Sequence, residues 1–121
     1  MNNKEYAKKL EKRTLDFAIK IIFLSSKLPN SPEGKVIKNQ LTKASNSIGA
    51  NYREANRSRS KADLKNKIKI FESESSETQY WLEIIYSLNW LDEDDIRFEI
   101  NESAELLALF TSIGSKLKFQ N

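Results

Sequence analysis

Apolar and small residues recur along this chain in alternating steps of four and three. Tyr6, Leu10, Thr14, Phe17, Ile21, Leu24 and Leu28 form the first series, the spacing of one face of an α-helix. Leu15, Ala18, Ile19 and Ile22 widen the stripe beyond a two-helix seam, as a bundle core requires. Leu28-Pro29 stops it, because proline disfavours helical geometry in the residue before it. A second stripe runs Ile37, Leu41, Ala44, Ile48, Tyr52 (or Asn51) and Ala55. It follows a start signal of Ser31 as cap, Pro32 in the first turn and Glu33 at the positive dipole end. Ser60 with Asp63 resembles a capping box with Asp in place of Glu. From there Leu64, Ile68, Phe71, Ser75, Thr78, Leu82, Ile85 and Leu88 make a third stripe. Asp92-Glu93-Asp94-Asp95 reads as a turn and the acidic first turn of a fourth helix. That helix carries Ile96, Ile100, Ser103, Leu107, Phe110 and Leu117, with Lys116 and Lys118 at its negative end.

The expected helices span about 4–28, 32–56, 60–89 and 94–118. Long helices joined by short loops pack as antiparallel neighbours, so the fold class is all-α, an up-and-down antiparallel four-helix bundle. With 121 residues, the chain suits a single domain over 1–121 that buries roughly two thirds of its unfolded surface. Only three Gly and two Pro are present, no period-two patterning is visible, and there is no internal repeat.

Composition narrows the chemistry. The chain has no Cys and no His, which removes disulfides, thiolate metal sites and the commonest general base. Glu74 and Glu77 of the third helix, with Asn51 and Glu54 of the second, raise a di-metal carboxylate site. Such sites also need Glu-x-x-His pairs, and none exists here. The expectation is no catalytic residues, no cofactor and no metal. No apolar run reaches the ~18 residues of a membrane span and the start lacks the apolar core of a signal peptide, so a cytoplasmic location without membrane contact is expected. The small-residue centre of the second helix, Ala44-Ser45-Asn46-Ser47-Ile48-Gly49-Ala50-Asn51, implies close helix packing, with Ser73, Ser75 and Ser76 as a matching face.

Charge changes the picture more. Residues 1–70 carry 17 Lys and Arg against 6 Asp and Glu, a balance of +11; residues 71–121 carry 3 against 11, a balance of −8, and together they give the net +3. Arg53, Arg57, Arg59, Lys61 and Lys65, with Lys67 and Lys69 beyond, flank the second turn. Cations around a helix end can grip phosphates without reading sequence, which makes these five the candidate nucleic-acid contacts; the alternative is a solvated surface. Tyr80 and Trp81 project from two faces of the third helix, and a four-helix core hides one of them. They are the candidate oligomer interface, while Trp90-Leu91 is placed to plug the bundle end.

Three blocks in order resemble a known family. They are Gln40-Leu41-Thr42-Lys43-Ala44-Ser45-Asn46-Ser47-Ile48-Gly49-Ala50-Asn51-Tyr52-Arg53-Glu54-Ala55, then Arg57-Ser58-Arg59-Ser60-Lys61-Ala62-Asp63-Leu64, then Glu74-Ser75-Ser76-Glu77-Thr78-Gln79-Tyr80-Trp81-Leu82. Leu15-Asp16-Phe17-Ala18 and Leu28-Pro29 also fit. The pattern is similar to that of the four-helix-bundle proteins of the rRNA intervening-sequence family, related to the accessory variability proteins of diversity-generating retroelements. The resemblance implies a bacterial four-helix bundle assembled with itself as a barrel-like homopentamer, with no established catalytic residues. The functional expectation is a non-enzymatic homo-oligomer that binds structured RNA or other nucleic acid through its basic surface. The alternative is a scaffold module with a protein partner.

Overall fold

The computed structural model describes residues 3–118, with side chains as far as Lys116; Leu117 and Lys118 of the fourth pattern therefore lie outside the described side chains. Four helices follow one another: α1 (Asn3–Ser25), α2 (Pro32–Asn56), α3 (Lys61–Ser87) and α4 (Glu93–Lys118). Among the described residues there is no strand. α1 packs chiefly on α2, α2 on α3 and α3 on α4, while α1 meets α4 along a sparser seam. The backbones of neither diagonal pair come together, and across the centre only side chains meet, as Tyr52 of α2 does Phe110 of α4. This is the all-α, up-and-down bundle that the stripes predict.

The helix ends carry their local causes. Ser31 caps α2 by accepting a hydrogen bond from the Gly34 amide at 3.0 Å, and Ser60 caps α3 by accepting from the Asp63 amide at 3.0 Å. α1 stops at Ser25 rather than Leu28, and a tighter turn carries the chain to Pro29, with Lys27 bonded to Leu24 and Leu28 to Ser25. α3 stops two residues before the expected position 89. Asn89 takes a left-handed φ of 55° just past the Leu88 cap, and the Trp90 amide reaches back to Ile85, a turn that asparagine tolerates.

Inside, Tyr52, Phe71 and Phe110 form an aromatic cluster with ring centres 4.5–5.7 Å apart. Each such pair contributes about 0.5–1.5 kcal/mol beyond its burial. The buried hydroxyls of Thr14, Ser25, Ser75 and Thr78 donate to carbonyls three or four residues earlier on their own helices, so these polar stripe positions are satisfied without a partner helix. Gly49 lies on Thr14 of α1, where an added Cβ would meet Oγ1 at 3.1 Å. At Gly49 the small-residue centre thus packs closely against α1, while α2 packs most extensively on α3. Of the serines expected to face it, Ser75 is buried and Ser73 and Ser76 are exposed.

Two stripe readings need correction. On α4 the core positions are Ile96, Glu99, Ser103, Leu106 and Phe110, not Ile100 and Leu107, which are half-buried. The winning stripe is offset by one residue at two places and carries a carboxylate inside. On α1, Leu15, Ile19 and Ile22 do not widen the core but lie exposed on the outer side, as does Tyr6. Trp90 and Leu91 are half-buried against the core, and Leu88, the last residue of the third stripe, is exposed.

Candidate nucleic-acid interface

Up-and-down topology decides where the charge goes. The starts of α1 and α3 and the finishes of α2 and α4 share one end of the bundle. Cutting each helix at its midpoint assigns residues 3–13, 45–73 and 106–116 to that end. These segments hold 13 Lys and Arg against 5 Asp and Glu, a balance of +8; the other described residues, 14–44 and 74–105, hold 6 against 12, a balance of −6. The bundle is therefore polar along its axis, with a basic end and an acidic end.

At the basic end, the α2–α3 turn presents an open groove of about 510 Å³ lined by Arg53, Arg57, Arg59 and Lys67 together with Glu54 and Asp63. Glu11 of α1 anchors it. Its side chain is largely buried, lies 3.7 Å from Arg53 and 3.8 Å from Arg57, and accepts from the Asn56 amide group at 2.9 Å. One carboxylate thus orients two guanidinium groups and leaves both mostly in solvent. The Arg57 guanidinium also donates to the Arg53 carbonyl at 3.1 Å, a cation on the negative end of α2. Lys67 is bridged to Glu54, whose hydrogen bond holds the ammonium above its ordinary value.

Of the five candidate contacts, Arg53, Arg57 and Arg59 come together in this groove, whereas Lys61 and Lys65 are exposed on the first turns of α3 outside it. The stripes alone did not place Lys4, Lys8 and Lys9 there. They are exposed on the first turns of α1, and antiparallel packing brings that segment to the same end.

The second candidate pair is divided by the fold. Tyr80 is exposed, while Trp81 packs against the core with its indole N–H donating to Glu77 at 3.1 Å; the rings meet edge to face at 5.2 Å. Glu74 faces Lys43, and burial holds its carboxyl above the usual range, helped by Glu77 and opposed by Lys43. Asn51 donates to the Ser47 carbonyl. Glu54 is bridged to Lys67 while Glu74 and Glu77 act on each other, and no group of three or more potential ligands converges among the described residues. No helix there is long and apolar enough to cross a membrane.

Residues 8–112 match the family described as 23S rRNA-intervening sequence protein. The chain belongs to that family. A solved structure from Bacteroides thetaiotaomicron, described as a protein of unknown function from the S23 ribosomal protein family, is 35% identical, with a TM-score of 0.78 over 86% of this chain and 96% of its own. No curated protein matches. Family and fold agree with the blocks around Gly49 and Tyr80, and neither adds a residue role.

Proposed function

We propose that this intervening-sequence protein is a non-catalytic, self-assembling bundle whose basic end holds structured RNA through its phosphates. The observation that carries this reading is the axial charge separation, with three arginines gathered in one groove at the positive pole. Phosphate contacts position a chain on nucleic acid without reading bases, which suits a groove whose cations are Arg53, Arg57, Arg59 and Lys67. The family's description names the rRNA intervening sequence, so RNA is the first polymer to test. The proposed assembly is a homo-oligomer, a pentamer by the family resemblance. A protein-binding module is the second reading, favoured by the apolar outer side of α1.

The experiment is a binding titration with structured RNA and with duplex DNA across a salt series. Affinity should fall steeply with salt, and Arg57→Ala with Arg59→Ala should reduce the log–log slope by about 1.4–1.8. Arg97→Ala at the acidic end should leave binding unchanged. Absence of binding at low salt rejects the RNA reading in favour of a protein partner.

A further inference from the structure

α1 is apolar on two sides. Its inner stripe fills the core, and its outer side exposes Leu15 (45%), Ile19 (43%), Ile22 (48%) and Phe23 (68%). The first three repeat at steps of four and three, which makes a continuous second stripe over about a third of the 23-residue helix. Isolated surface apolar residues are ordinary, whereas a helical row of them marks a contact surface. Lys8 and Lys12 continue the same side toward the basic end.

The opposite corner of the bundle offers a counterpart. α3 is diagonal to α1 and their backbones stay apart, so their outer sides point away from each other. There an open groove of about 780 Å³ runs between Glu72, Ser73, Ser76, Glu77, Tyr80 and Leu107, with Lys69 toward its basic end. Small serines make room for inserted side chains, Tyr80 and Leu107 supply apolar surface, and half-buried Glu72 offers a carboxylate to Lys12, whose bridge to Asp16 at 3.2 Å is exposed and exchangeable. α1 and α3 run in the same direction. Lys12 stands at the height of Glu72, and Ile19 and Ile22 near that of Tyr80, when the helices are aligned at their midpoints.

We propose that the outer side of α1 docks into the α3 groove of a second copy of this chain, with Ile19 and Ile22 against Tyr80 and Lys12 against Glu72. The contact is heterologous, joining two different surfaces, so each subunit keeps one unused half of it and the assembly grows until it closes. This inference rests on the self-assembling part of the proposed function and is independent of RNA. It also moves the interface from the Tyr80–Trp81 pair to α1, with Tyr80 as the receiving side.

The test uses two full-length variants. Ile19→Asp with Ile22→Asp spoils the α1 side and leaves the groove; Ser76→Lys with Tyr80→Lys spoils the groove and leaves α1. All four positions are exposed, so both variants should keep the helical circular dichroism of the parent. Each alone should sediment as a 14.0 kDa monomer where the parent assembles, with association weakened about 100-fold or more. Mixed in equal amounts, they should form a species of two chains, because each supplies the half that the other lacks. A parent that is monomeric at high micromolar concentration overturns both the assembly reading and this contact. An assembled parent whose variants remain assembled, or whose two monomeric variants fail to pair, overturns this contact alone.

Discussion

Glu99 is the position where the fold works against itself. It is 5% exposed on the core side of α4, its Oε2 has no hydrogen-bond partner, and neither has Ser103 Oγ one turn further on. Burial holds the carboxyl above the usual range, the charge of Glu102 pushes the same way, and Lys20 pulls it back. A carboxyl whose folded value is raised binds a proton in the folded state that the unfolded state releases. Stability therefore falls as pH climbs from the unfolded value to the folded one, and stays reduced above it. Glu99→Gln keeps the shape and cannot ionise. An unsatisfied buried polar group costs about 1–3 kcal/mol, more if charged. Gln still buries polar atoms, so the expected gain is about 1–2 kcal/mol at pH ~8, roughly 3–6 °C in Tm.

At pH ~4 both side chains are largely neutral, and the gain should shrink toward zero. Urea melts followed by far-ultraviolet circular dichroism at both pH values measure this. Lys20→Ala, which removes the cation opposing the shift, should make the parent's loss of stability with rising pH larger. A Glu99→Gln variant that is destabilised at pH ~8, or changed equally at both pH values, would show that the carboxylate has a folded-state partner and would refute the reasoning.

Gly34→Ala should destabilise by about 1–2 kcal/mol in the same melts: the new Cβ would lie 2.0 Å from the Pro29 carbonyl oxygen, and overpacking outweighs the ~1 kcal/mol of helix propensity gained. Ser60→Ala should cost about 1 kcal/mol, with amide exchange accelerated first at Asp63, whose N–H loses its acceptor. Arg13→Ala removes a two-pronged grip on Glu102 at 2.6 and 2.8 Å and a contact with Glu105, and should cost about 1–2 kcal/mol, between exposed and buried pairs. The Arg13 hydrogen bond holds the Glu102 carboxyl below its usual range. That stability is present above the unfolded value and is lost as pH falls through the folded one, so parent and variant should converge in acid.

The stripes of α2 and α3 were legible because their periodic positions are the buried ones, from Leu41 to Ala55 and from Ile68 to Ile85, and because Ser31 and Ser60 mark their starts. α4 was misread at Ile100 and Leu107 for a physical reason. Hydrophobicity favours them over Glu99, but rotation of α4 is set by all its neighbours together, and burying Ile96, Leu106 and Phe110 carries Glu99 inward. α1 was misread because periodicity reports that a residue is apolar on a face and is silent about which faces meet a partner. Leu15, Ile19 and Ile22 fit a broad core as well as they fit a second stripe; only the sparse α1–α4 seam separates the two. The basic site was legible as a list of cations and illegible as a surface. Glu11, which arranges Arg53 and Arg57, lies more than forty residues away, and antiparallel packing alone brings it there.

The proposed RNA binding and the proposed self-association make one joint demand on the molecule. α1 and α3 run in the same direction, so copies joined side by side through them carry their basic ends on one face of the assembly. Each subunit then offers its Arg53–Arg59 groove beside the next, and a long RNA can occupy several at once. Binding to linked sites multiplies through effective concentration, and the gain reaches about 10²–10⁴-fold over one site. Ile19→Asp with Ile22→Asp touches no cation, yet it should weaken binding to a long structured RNA by about 10-fold or more. Binding to an RNA short enough for one subunit should change little, apart from a small electrostatic loss from the added carboxylates. Fluorescence anisotropy with the two RNAs at one salt concentration reads the difference. Equal weakening for short and long RNA would mean that the α1 substitutions act on each groove directly. No weakening for either would mean that the basic ends work singly, and the shared face would have no part in holding RNA.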